Sequence, residues 1–288
     1  MLGLGAWSRS GGVTVVVVVL AVATTACGKA AHPTSDPATA SAEASFSIEY
    51  SPGQTEDVYL PATKGPAPLV VMVPGGSWVT ADPAGFAGLA AHLAAAGVVA
   101  APTTIQAAVD DVVYPVPVED VLCAVAVAVD QVRARGYRPG PVTVLGHSSG
   151  AQLAALAALA ADDYTPTCDS PPVAPDALVG LSGPYDISRV PDIAQELLGS
   201  SPDDDPETWQ AANPVDQAAL RPDLPALLLH GEDDDTVPVD FTTQFAQALE
   251  DGGHPTTTEI VPGADHDSIY RADVSGDLIA EWLLALPT

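Results

Sequence analysis

No stretch of this chain restricts its fold as much as Gly146-His147-Ser148-Ser149-Gly150 and its two flanks. Residues 142–145 are a short apolar run entered from Pro139-Gly140-Pro141, which is how a buried strand reads. Residues 151–161 are rich in alanine and leucine, both strong helix formers. A strand that turns at once into a helix brings two backbones together and forces an unusual dihedral at the turn. Glycines on either side permit that approach. The serine between them is then pushed out at the strand tip, beside the positive end of the helix. Gly-x-Ser-x-Gly in this setting is a nucleophile elbow, which makes Ser148 the expected nucleophile. The main-chain N–H of Ser149 is the first expected oxyanion donor.

The rest of the chain supplies a matching scaffold. Residues 46–50 and 57–60 alternate as antiparallel edge strands do. Residues 69–73 are apolar throughout, as a strand buried on both faces must be. Helices are expected over 86–96, 118–135, 241–249 and 277–286, and strands over 98–101, 177–181, 226–230 and 256–261. The alternation specifies an α/β fold: a mostly parallel, doubly wound sheet with antiparallel N-terminal strands. Such sheets carry their sites at the carboxyl ends of strands. Residues 186–220 form the one long stretch without periodicity and are expected to be an irregular insert.

Three further strand ends carry chemistry that a serine nucleophile needs. Pro74-Gly75-Gly76-Ser77-Trp78 follows the strand at 69–73, and the N–H groups of Gly76 or Ser77 suit the second half of an oxyanion hole. A plain Pro-Gly turn is the competing reading. The acidic run Glu232-Asp233-Asp234-Asp235 follows the strand at 226–230. A carboxylate there orients a histidine and stabilises its imidazolium, or the run is simply a solvated loop. Calcium is disfavoured in it, because the run lacks the glycine and closing glutamate of an EF-hand loop. His266 lies in a glycine-containing loop after the last strand, completing the order Ser, acid, His. His147 is expected to pack beside the nucleophile or line the pocket, and His230 to be structural. Trp78 reads as a packing wedge under its loop.

Together these segments resemble the α/β-hydrolases, in particular the hormone-sensitive-lipase and feruloyl-esterase-like branch of small esterases, over residues 46–286. Pro74-Gly-Gly-Ser-Trp78 is similar to that branch's His-Gly-Gly-Gly-Trp loop, with Pro74 and Ser77 as departures. The pattern His230-Gly-x-x-Asp-x-x-Val-Pro238 resembles its acid loop, and this resemblance selects Asp234 from the acidic run. Ser182-Gly-Pro-Tyr-Asp186 and Asn213-Pro214 resemble segments near its substrate pocket. Thr103-Thr104 stands where the branch carries Tyr-Arg.

Charge narrows the partners. Lys and Arg number 9 against 37 Asp and Glu, a net charge of −28. Loss of the first 26 residues removes only Arg9, leaving 8 − 37 = −29. Such a chain repels nucleic acid and anionic membrane surfaces. Arg9, the apolar block 13–23 and the small residues before Cys27 read as an export signal over 1–26, too short for the about 20 apolar residues of a membrane span. Cys27 is the candidate lipidation site, because the segment resembles a bacterial lipobox with Thr24 in place of the usual leucine. Cleavage as an ordinary signal peptide is the alternative. Residues 27–44 read as a tether and 45–288 as the catalytic domain. The location implied is the bacterial cell envelope or the medium. Cys123 and Cys168 are then an even pair in an exported chain, a candidate disulfide.

The expected activity is hydrolysis of short-acyl carboxylic esters of small molecules through Ser148, Asp234 and His266, with no metal or cofactor in the reaction. A formamidase resembling the kynurenine formamidases, or a peptidase on the same triad, is the alternative. A non-catalytic exported binding protein is the third reading. The oligomeric state is left open.

Overall fold

A computed structural model describes residues 44–287 of the chain. The expected signal at 1–26, Cys27 and nearly all of the tether lie outside the described residues. The N-terminal strands pair with each other: β1 (Phe46–Ser51) and β2 (Gln54–Val58) form an antiparallel hairpin. The second strand therefore begins earlier than the alternation at 57–60 suggested, and Tyr59 lies past its end, in an isolated bridge to Ala100.

Six parallel strands follow: β3 (Pro66–Val73), β4 (Val99–Pro102), β5 (Arg138–His147), β6 (Ala177–Leu181), β7 (Ala226–Gly231) and β8 (Thr256–Val261). Their order is β4-β3-β5-β6-β7-β8. The β3–β5 pairing continues down to Pro66 and Arg138, so Pro139-Gly140-Pro141 belongs to the strand rather than preceding it. A register irregularity between Ala67 and Leu69 takes up the misfit, as proline cannot donate to the ladder.

Period-two alternation decides which helices cover which face. Val144, Leu178 and Leu228 join one apolar cluster with α2 (Val116–Ala134), α3 (Ser149–Leu159) and α7 (Asp240–Asp251). Leu145, Val179 and Leu227 join the opposite cluster with α1 (Ala87–Ala96) and α8 (Asp277–Ala285). Every residue of α3 is buried, which its composition explains: alanine lets neighbours close in from all sides. Cys123 on α2 is disulfide-bonded to Cys168, with Cα atoms 5.7 Å apart.

The stretch at 186–220 is not irregular. It holds α4 (Pro191–Leu198), α5 (Pro206–Ala211) and α6 (Pro214–Gln217), each opened by a proline in its first turn. Leu197, Leu198, Trp209 and Ala212 pack into the α3 cluster. Helices this short, separated by prolines, leave no periodic pattern long enough to detect.

Candidate active site

Ser148 sits between β5 and α3 at φ 52°, ψ −128°, a conformation that L-residues seldom adopt. The close approach expected at the elbow is present. A Cβ on Gly146 would overlap the carbonyl of Gly150, and one on Gly150 would overlap the carbonyls of Val73 and Pro74. The Ser148 N–H donates to the Leu181 carbonyl at 2.9 Å, which ties the elbow to the end of β6.

The loops after β5, β7 and β8 bring three side chains into line. His266 Nε2 lies 3.0 Å from Ser148 Oγ, and His266 Nδ1 lies 2.8 Å from Asp234 Oδ2. A carboxylate only accepts, so Nδ1 carries the proton and Nε2 is left to accept from the serine hydroxyl. Of the acidic run, only Asp234 turns inward; Asp233 and Asp235 are exposed. The other oxygen of Asp234 accepts from the N–H groups of Thr236 and Val237, each at 2.9 Å. Burial alone raises the Asp234 pKa. Hydrogen bonds from His230, His266 and the Val237 N–H outweigh it and hold the carboxyl well below the usual range. Asp234 is therefore a fixed anion beside His266.

His230 takes the structural place expected of it, yet it touches this relay. Its Nε2 donates to the Val237 carbonyl at 2.8 Å with Asp234 Oδ2 at 3.3 Å, while Nδ1 accepts from the Thr242 hydroxyl at 2.7 Å. The ring is fully buried and holds the acid loop from beneath. His147 is buried too, and burial with His266 beside it pushes its pKa down to about 4. Its Nε2 donates to the main-chain carbonyl of His266 at 2.8 Å.

The loop at 74–78 closes the other side of Ser148. Gly75 packs so near that a Cβ there would lie 2.8 Å from the serine Cβ. The Gly76 carbonyl accepts from the Val79 and Thr80 N–H groups. The N–H groups of Gly76 and Ser77 donate to nothing among the described residues. Ser77 and Trp78 hold the turn at φ 55° and 61°. Trp78 is a buried wedge, its Nε1 donating to Gln152 Oε1 at 2.9 Å, and Gln152 in turn donates to the Ala212 carbonyl. Ser149 opens α3, so its N–H has no partner within the helix.

Ser148, His266, His147 and the 74–77 loop line a cavity of about 400 Å³ whose walls include Phe86, Tyr270, Asp82, Asp267 and Thr236. Sequence reasoning did not place Asp82, Phe86, Thr236 or Tyr270 at the site. Asp82 and Phe86 come from the segment before α1 and Tyr270 from the segment after His266, and only the fold makes them neighbours. Among the described residues, no group of three or more His, Cys, Asp or Glu is arranged to hold a metal ion.

The same arrangement of segments recurs in known proteins. The BD-FAE family model matches residues 56–249. Esterase LipQ of Mycobacterium tuberculosis is 29% identical over 253 residues, covering 81% of this chain and 59% of that protein. Esterase LipC of the same organism is 32% identical over 216 residues, covering 70% of this chain and 53% of that protein. The chain thus spans a little over half the length of these curated relatives. Among solved structures, the propionate-bound Est2 esterase of Thermogutta terrifontis superposes with a TM-score of 0.67 at 24% identity, covering 82% of this chain and 92% of that one. A truncated carbohydrate esterase from gut microbiota gives 0.71 at 18% identity, covering 85% and 97%. With the family model spanning more than half of its length and the sheet superposing on these neighbours, this chain belongs to the BD-FAE family and has the α/β-hydrolase fold.

Proposed function

We propose that the chain is a serine hydrolase of short-acyl carboxylic esters. One observation carries the reading: the unbroken hydrogen-bonded series Asp234, His266, Ser148, which ends in an open cavity. In this mechanism His266 Nε2 takes the Ser148 proton as Oγ attacks the ester carbonyl. Asp234 holds the ring in the required tautomer and balances the imidazolium. The N–H groups of Ser149 and of Gly76 or Ser77 receive the oxyanion, one such donor contributing about 3 kcal/mol. His266 then protonates the leaving alcohol. Water, activated by the same ring, releases the acyl group and restores the serine.

A cavity of about 400 Å³ is near the small end for ligand sites and supports short acyl chains. The Thermogutta esterase binds propionate, a three-carbon carboxylate. The test is hydrolysis of nitrophenyl acetate, butyrate and decanoate, with an aryl formamide alongside, by wild type and Ser148→Ala. The expected result is turnover of acetate and butyrate, a steep fall at decanoate, and a loss of at least about 10³-fold in the variant. Equal rates in both proteins overturn the proposal. Faster cleavage of the formamide than of either short ester moves the reaction to the C–N bond.

We also propose export, with a cleaved signal over 1–26 and lipid on Cys27. The Cys123–Cys168 bond supports it, because such a bond persists in oxidising compartments. Incorporation of labelled palmitate that is lost in Cys27→Ser is the expected result. Unlabelled, freely released protein overturns the anchor.

A further inference from the structure

The loop at 74–78 holds an unfavourable backbone. Gly76, Ser77 and Trp78 follow one another at φ 150°, 55° and 61°. Glycine tolerates such angles. Serine and a bulky tryptophan do not, and they stay there only where the surroundings over-determine them. Two bonds are internal to the turn, from the Val79 and Thr80 N–H groups to the Gly76 carbonyl at 3.0 and 3.2 Å. The Ala108 and Val109 N–H groups donate to the Trp78 and Val79 carbonyls at 3.0 and 3.1 Å, which ties the turn to the segment leading into α2.

The anchor to α3 is a side chain. Gln152 is fully buried, about one helical turn beyond Ser149. Its Oε1 accepts from Trp78 Nε1 at 2.9 Å, and its Nε2 donates to the Ala212 carbonyl at 2.7 Å. An indole N–H only donates and a carbonyl only accepts, so the group between them must offer one acceptor and one donor. A primary amide does so. Ala212 is fully buried and is itself held in place by its neighbour. Asn213 Oδ1 accepts from the Ile187 N–H at 2.9 Å, and its Nδ2 donates to Asp216 Oδ2 at 2.9 Å. The series Trp78, Gln152, Ala212 therefore runs from the loop through α3 to the segment 186–220. Trp78 and Ala212 belong to one apolar cluster, where an unmade hydrogen bond is costly and a made one is directional.

We propose that Gln152 is a positioning residue for ester hydrolysis, setting the Gly76 and Ser77 N–H groups against the N–H of Ser149. The inference rests on the serine-esterase reading above. Gln152 does not line the cavity and touches no substrate there. It acts through Trp78. Ser149 and Gln152 share one helix, so the bond to Trp78 fixes the loop donors relative to the helix that carries the remaining donor. Without that bond the turn relaxes from its strained angles, and the loop donors leave the place where the oxyanion forms. Such donors act mainly on the charge that develops in the transition state, so the loss falls on kcat rather than on KM.

The test is Gln152→Met in the full chain, which keeps the length of the side chain and removes both hydrogen bonds. With nitrophenyl butyrate, kcat is expected to fall about 10–100-fold while KM changes less than about twofold. A second probe is an alkyl trifluoromethyl ketone: Ser148 Oγ adds to its carbonyl carbon, His266 takes the proton, and the carbonyl oxygen becomes the anion. Its affinity is expected to fall by the same factor as kcat/KM. Trp78→Phe removes the same bond from the other side, and the double variant is expected to be no slower than the slower single one. Unchanged kcat and ketone affinity in Gln152→Met overturn the proposal even if Tm falls, because the amide then serves only the fold. Additive losses in the double variant overturn it as well. Should Gln152→Met not fold, Trp78→Phe is read by the same two measurements. Wild type without Ser148-dependent turnover overturns the esterase reading and this inference with it. Active wild type beside an equally active Gln152→Met overturns this inference alone.

Discussion

The imidazole of His147 donates to the main-chain carbonyl of His266 at 2.8 Å, so the residue next to Ser148 steadies the loop that carries His266. The two rings lie 4.7 Å apart, and Tyr270 closes on His147 at the same distance. His147→Ala removes the donor but leaves Ser148, His266 and Asp234 in place. We expect kcat to fall by about 10–100-fold with KM little changed, as befits a geometric displacement at the reacting atoms. A fall in KM alone, or no change, contradicts the positioning role.

Burial of the same ring makes stability depend on pH. Buried His147 has its pKa pushed down to about 4 in the folded chain, against about 6.5 when unfolded. Between those values the unfolded chain binds the extra proton, so stability is lost as pH falls from about 6.5 toward 4. Asp234, held below its usual range, adds a further loss only below about 4. Urea titrations at pH 7 and pH 5 are expected to show the first loss in wild type and a reduced one in His147→Asn. An identical pH slope in the two proteins removes His147 as its source.

Asp234→Asn leaves a near-isosteric group but turns the partner of His266 Nδ1 from a pure acceptor into a potential donor. The ring then favours the wrong tautomer, and kcat is expected to drop by about 10⁴-fold. Thermal melting monitors the cost of leaving His230 Nε2 without the nearby charge. A loss under tenfold would show that Asp234 is not the triad acid.

The cavity lining includes the carboxylates of Asp82 and Asp267 and no Lys or Arg. Esters with an anionic acyl group are therefore expected to react at least about 10-fold less efficiently than neutral esters of equal length. Both carboxylates are exposed, so added salt narrows the gap. Asp267→Asn narrows it as well. Comparing kcat/KM for the butyrate and hemisuccinate esters of one alcohol checks this, and a ratio unaffected by salt refutes the electrostatic cause.

The Cys123–Cys168 bond closes a separation of 45 residues. Loop-closure entropy gives it about 4 kcal/mol of stabilisation. Cys123→Ser with Cys168→Ser is expected to melt roughly 10 °C lower while keeping its KM. An unchanged Tm would mean the bond contributes nothing to folding.

Much of the scaffold was legible because its information is local. The strands at 177–181 and 256–261 announce themselves by apolar or β-branched runs, and their expected bounds coincide with β6, which is fully buried, and β8, which is largely exposed. The insert was not legible, because α4, α5 and α6 are each too short to express a period and depend on docking against α3. The start of β2 was missed for a related reason. Gln54 and Glu56 are polar, and nothing in their own identities signals that they point inward.

Sequence alone determined the elements whose chemistry is carried by neighbouring residues. It carried the Gly-x-Ser-x-Gly turn at Ser148, the chain order Ser148, Asp234, His266 and, through the family resemblance, the choice of Asp234 from the acidic run. Tertiary structure decided everything that depends on residues far apart in the chain. His147 and His266 are 119 positions apart, Trp78 and Gln152 are 74 apart, and Tyr50 and Thr104 are 54 apart. A hydrogen bond needs its two atoms within about 3 Å, and only the packed sheet and its loops bring such pairs to that distance.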